Sequence, residues 1–150
     1  MTFRAARATL AISLVSLIAG GCGSSSPAAP TPSTPTVTDS MRGVTNLAPT
    51  SGTVLQPGQT VTFGGTAGYS LATADSGTVF MVVQDQANRI LQDVTTQPRV
   101  AVVKGSGEAT FSQTLTLPAS GVTTVVVFFA LLPAGATGTN ATASVSYPVR

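Results

Sequence analysis

Few residues in this sequence can do covalent chemistry, and those few are scattered. Histidine and tryptophan are absent, and Cys22 is the one cysteine. Without histidine the commonest general base and the commonest zinc ligand are both missing. Serines are numerous, but the nearest candidate base is Lys104 beside Ser106, in a stretch that reads as a hairpin-like turn. Asp75, Asp85 and Asp93 offer carboxylates, yet they fit no Asp-x-Asp-x-Asp spacing, and calcium takes about six to eight oxygens. They read as solvated loop acids. Gly64-Gly65-Thr66-Ala67-Gly68 has no lysine after it and opens no helix, so it reads as a strand-end turn rather than a phosphate cradle. No catalytic residue, metal ligand or cofactor site is expected.

Cys22 stands apart because of what precedes it. Residues 1–7 are short and basic, with Arg4 and Arg7. Residues 8–19 are apolar apart from Thr9, Ser13 and Ser16, and Gly20 and Gly21 are small. This is the order of a secretory signal, and the run is too short for a membrane span of about 20 residues. After it comes GSSSPAAPTPSTPTVTDS, residues 23–40, with prolines at 27, 30, 32 and 35. Nothing there can build a core, so an extended, disordered tether is expected. At about 3.1 Å per residue its reach is on the order of 50 Å.

Leu17-Ile18-Ala19-Gly20-Gly21-Cys22 resembles a bacterial lipobox, with alanine where that family usually has leucine. The resemblance implies that residues 1–21 are a signal peptide and that Cys22 becomes a lipid-modified N-terminus. The membrane is then a partner through that lipid, since two or more acyl chains hold where one does not. Residues 22–41 become a lipid-anchored tether. Gly23, not aspartate, follows the cysteine, and by resemblance to enterobacterial lipoproteins this favours the outer over the inner membrane. Five bases and five acids follow Cys22, so this part is neutral and carries no basic stripe. Nucleic acid is not an expected partner.

Residues 42–150 read as strand after strand, with no convincing helical period. Strands are expected at 45–48 (continuing at 53–55), 60–64, 78–84, 90–94, 100–104, 108–117, 124–132 and 140–147. Residues 65–77 read as a strand end and a long loop. A chain beginning at Arg42 is expected to fold as well as one that keeps the tether. Ala48-Pro49-Thr50-Ser51-Gly52, the run from Leu55 to Phe63, and Leu117-Pro118-Ala119-Ser120-Gly121 resemble the bacterial Ig-like and fibronectin-III-like domains. The fold implied is all-β, an Ig-like β-sandwich of about seven antiparallel strands. It lacks the Cys-Trp-Cys set of antibody domains, and residues 124–132 contain no tyrosine for a tyrosine corner.

Side chains alternate in and out along a strand. If Val79, Met81 and Val83 point inward, Phe80 and Val82 point out. Residues 124–132 are apolar on both parities, so one set must face outward. Thr110, Ser112, Thr114 and Thr116 give the opposite sheet a polar exterior. An apolar stripe of Phe80, Val82, Val126 and Phe128 is therefore expected on one sheet. It is a candidate surface for docking an envelope protein or a second copy. The function expected is a non-enzymatic interaction or structural module on the cell envelope. The alternative is a carbohydrate-binding module of the same fold, disfavoured by the scarcity of aromatic rings.

Overall fold

The computed structural model describes residues 36–150; the expected signal peptide, Cys22 and most of the expected tether lie outside them. The described residues form an antiparallel sheet with five strands. They are β1 (Ser40–Ala48), β2 (Thr60–Asp85), β3 (Arg99–Thr116), β4 (Thr124–Pro133) and β5 (Ala141–Pro148). β2 and β3 make one long hairpin that runs from Thr60 opposite Thr116 to Phe80 opposite Arg99. Between Leu71 and Ser76 its register shifts: residues 72–75 of β2 lie opposite Lys104 alone. The extra residues bend the hairpin, as bulges do. Gly105, at φ 110°, takes the matching turn in β3, a conformation that glycine adopts without strain.

The bend divides the sheet into two layers. The first half of β2 lies between β1 and the second half of β3. The second half of β2 lies between the first half of β3 and β4, with β5 beyond β4. Counted by segment, these are the seven strands of an Ig-like β-sandwich, three in one layer and four in the other. The layers meet through their aromatic rings. Phe63 of the three-stranded layer packs on Tyr147 of the four-stranded one, and Phe111 on Phe129, each at 5.8 Å between ring centroids. Leu71, Met81, Val127 and Leu131 fill the space around them. Each fully buried side chain of this kind contributes about 1.5–3 kcal/mol.

Several expectations change here. Residues 65–77 are strand throughout, not loop. The glycines in that region are there for close approach: a Cβ on Gly64 would sit 2.5 Å from the Phe111 carbonyl oxygen, and one on Gly65 would sit 2.7 Å from Val44. Residues 90–94 are not a strand. Ile90 makes an isolated bridge to Gln84, and Val94–Thr96 is a 3-10 turn. Residues 100–104 belong to β3, and of 53–55 only Leu55 bridges, in parallel, to Val149. Tyr147 on β5 donates its phenol to the Pro49 carbonyl at 2.7 Å, and burial pushes its pKa up.

The start of the domain also moves. β1 begins at Ser40, paired with Ser70, and Met41 packs against the core. One residue earlier, Asp39 accepts hydrogen bonds from the backbone N–H of Ala72 (2.7 Å) and Thr73 (3.0 Å). It also accepts from the Thr73 hydroxyl (2.5 Å) and the Asn140 amide (2.8 Å). A boundary at Arg42 cuts through β1 and removes the acid that holds the bend.

Candidate functional site

Alternation along β2 and β4 decides which side chains leave the core. Val79, Met81, Val83, Val125, Phe129 and Leu131 point inward and are 0% exposed. Phe80, Val82, Val126 and Phe128 lie on the opposite parity, half-buried, on the outer face of the four-stranded layer. Register brings them side by side: Val82 opposite Phe128, Gln84 opposite Val126, and Phe80 opposite Ala130. The next strand continues these rows with Ser144, Ser146 and Thr142. The structure thus gathers the four stripe residues on one surface. Phe80, Val82, Phe128, Ala130, Thr139 and Thr142 line a shallow groove there of about 200 Å³. Val103, 69% exposed, lies on the outward parity of β3 near the same face; sequence reading of 100–104 as a separate short strand left its facing unassigned.

The outer face of the other layer is built differently. Its threonines pair across β2 and β3: Thr60 with Thr116 at 2.9 Å, Thr62 with Thr114 at 2.8 Å and Thr66 with Thr110 at 3.1 Å. These hydroxyls remain open to water, as a solvated sheet face requires. The contrast between the layers is chemical, apolar side chains on one and hydroxyls on the other.

The β2 edge beyond its pairing with β3 is sealed in a way that sequence reading missed. Past the end of its pairing with β3, the β2 edge meets residues 90–98 instead of a strand. Leu91 N–H donates to the Val83 carbonyl at 2.9 Å, and Met81 N–H donates to the Pro98 carbonyl at 3.1 Å. Between those two bonds the ladder is completed by a side chain. Gln92 accepts from Val83 N–H at 2.8 Å and donates to the Met81 carbonyl at 3.0 Å, so its amide stands in for a peptide unit. Gln92 is buried as a result, at 7% exposure.

Asp85 is also buried rather than solvated, at 0% exposure. It accepts from Ala87 N–H (2.8 Å), Arg89 N–H (2.9 Å) and the Arg89 guanidinium (2.6 Å), closing the turn that follows β2. Burial works to raise its pKa, but the hydrogen bonds from Arg89 and Ala87 outweigh it and hold the carboxyl below the ordinary range. Asp93 accepts from Thr95 N–H at 2.8 Å and is held low by Thr95. Asp39 meets the same balance more strongly: desolvation raises it, while Thr73, Ala72 and Asn140 lower it well below the carboxylate range. Asp75, by contrast, faces Lys104 across open solvent at 3.4 Å. These acids are separate, and no group of three or more potential metal-ligating side chains occurs among the described residues. Lys104 does not reach Ser106, whose hydroxyl takes the Arg42 guanidinium instead.

No family model matches this sequence. No curated protein matches it either. Among solved structures, the CARDB domain of a Pyrococcus furiosus protein in complex with di-metal ions aligns with 77% of this chain and 89% of its own. The identity is 10% and the TM-score 0.42.

Proposed function

We propose that this chain is a lipid-anchored protein of the bacterial envelope, with its Ig-like domain as a non-catalytic docking module. The observation that supports it is the outer face of the four-stranded layer, where Phe80, Val82, Val126 and Phe128 form one apolar patch. Such a patch on a soluble domain marks a contact surface. The partner is an envelope protein or a second copy of the domain. The address rests on the sequence alone: Cys22, directly after the signal-like run, carries the lipid, and the outer membrane is favoured.

Phe80→Ser with Val82→Thr tests the surface. Both side chains point away from the core but are half-buried, so the double variant keeps its fold while losing about 1–2 kcal/mol, a drop of several degrees in thermal midpoint. In detergent extracts of host membranes the parent chain migrates as a complex and the variant as a monomer. A parent that is always monomeric, or a variant that unfolds, contradicts the reading.

Mass spectrometry of the mature N-terminus tests the address. The expected species begins at a lipid-modified Cys22 and lacks residues 1–21, and Cys22→Ser releases the protein from the membrane fraction. A free Cys22 thiol in the native host contradicts it.

A further inference from the structure

The hydroxyl-bearing layer holds a second surface feature. A cleft of about 450 Å³ opens on its outer face, within the size range of small-ligand sites. Its floor is backbone. Gly43 and Gly68 lie opposite each other on β1 and β2, and a Cβ on Gly68 would come within 3.3 Å of the Arg42 side chain. Gly43 has φ 113°, a conformation that excludes ordinary side chains. Arg42 reaches from β1 over β2 to donate to Ser106 on β3. Glu108 follows two residues along β3, on the same face. The hydroxyls of Thr45 and Thr66 complete the lining.

Glu108 is distinctive in its company. Among the described residues, Asp39, Asp75, Asp85 and Asp93 each have a hydrogen-bond or ion-pair partner. Glu108 has neither, and Arg42 forms no ion pair with it or with any other acid among those residues. A donor-only guanidinium and an acceptor-only carboxylate therefore share one cleft without pairing with each other.

We propose that this cleft binds a saccharide. A purely anionic ligand would meet Glu108 and a purely cationic one would meet Arg42, so each would be opposed. A sugar hydroxyl is donor and acceptor at once. Neighbouring hydroxyls of one ring accept from Arg42 and donate to Glu108, both as charge-assisted bonds. Gly43, where a Cβ would meet nothing within 4 Å, leaves room for the ring. The Thr45 hydroxyl donates to the Thr66 carbonyl, so its remaining lone pairs accept from a further sugar hydroxyl. No aromatic ring lines the cleft, so binding is in the millimolar range. The site lies on the opposite layer from the apolar stripe and stands or falls without it.

The test is a titration followed by backbone amide NMR on the chain from residue 22, carrying Cys22→Ser to exclude lipid and disulfide dimers. The probes are maltotriose, cellotriose and N,N′-diacetylchitobiose, with free glycine as a zwitterionic control. At least one saccharide is expected to shift the amides of Gly43, Gly68 and Ser106 to Glu108 while the amides of Val82 and Phe128 stay still. Glu108→Gln and Arg42→Met each weaken binding about tenfold, the scale of one charge-assisted bond. Gly68→Val, whose side chain pushes Arg42 away from the cleft, abolishes it. If the β1 to β3 amides respond to no saccharide, or to glycine alone, the proposal is overturned. It is also overturned if Glu108→Gln and Arg42→Met bind as well as the parent, because the shifts then come from somewhere other than this pair.

Discussion

A chain cut to begin at Arg42 is expected to be less stable by about 2–4 kcal/mol than one that begins at Thr36, and to unfold about 10 °C or more lower. The cut removes Ser40 and Met41 from the β1–β2 ladder, and with Met41 a side chain that packs on the core. It also removes Asp39, whose carboxylate satisfies two backbone N–H groups at the bend and joins them to Asn140. Residues 72–75 lie opposite a single residue of β3, so these N–H groups have no ladder partner to return to. Asp39→Asn isolates the carboxylate and gives the pH dependence. The folded pKa is lowered, so the stabilisation is fully present above the unfolded value of about 3.9 and is lost as pH falls through the folded value. The gap between parent and Asp39→Asn in a thermal melt is therefore full at pH 7 and narrows below about pH 4. Equal midpoints for the chains starting at 36 and 42 would show that the bend holds itself.

Gln92→Leu is expected to cost about 3–4 kcal/mol, although leucine is apolar and similar in size. The loss leaves Val83 N–H and the Met81 carbonyl without partners beside side chains that are 0% exposed. Each orphaned buried group costs about 1–3 kcal/mol. Urea denaturation should show a lower midpoint at unchanged slope, the sign of a stability loss without a change in the surface exposed on unfolding. Hydrogen exchange at the Val83 amide should accelerate more than at Val127, which is paired within β4 and β5. Gln92→Glu keeps the acceptor for Val83 but loses the donor to Met81 and buries a charge, so it too is destabilised. A loss below about 1 kcal/mol for Gln92→Leu would mean that water or a neighbouring backbone group takes over both bonds.

The parts of this architecture that sequence reading recovered share one property, a period of two. Residues 108–117 alternate hydroxyl and apolar side chains, and the structure buries Ala109, Phe111 and Leu117 while exposing Thr110, Ser112, Thr114 and Thr116. In β2 the inward set Val79, Met81 and Val83 follows from the same period. What sequence reading missed depends on partners far away in the chain. Gly64 and Gly65 look like turn residues, yet they are glycine because β3 and β1 crowd them inside a strand. In sequence Asp85 reads as a solvated loop acid, Asp39 as part of the tether and Gln92 as part of a short strand. Each completes backbone hydrogen bonding at a place where the sheet lacks a strand or closes a turn. That role is set by three-dimensional register, which no local pattern encodes. Arg42 and Glu108 are 66 positions apart in sequence, and the β1–β2–β3 register alone brings them to one cleft. Cys22 is the reverse case: its environment is local, and the signal-like run beside it carries all its information.

The outer face of the four-stranded layer is the surface proposed to meet a partner. A photoreactive residue in place of Val82, compared with one in place of Thr114, tests this directly. Both positions point outward, one on the apolar stripe and one on the hydroxyl face. After irradiation in native host membranes, the chain carrying the probe at 82 is expected to yield one discrete cross-linked product, and the chain carrying it at 114 none. No product from position 82, or equal yields from the two positions, would contradict a docking role for the stripe.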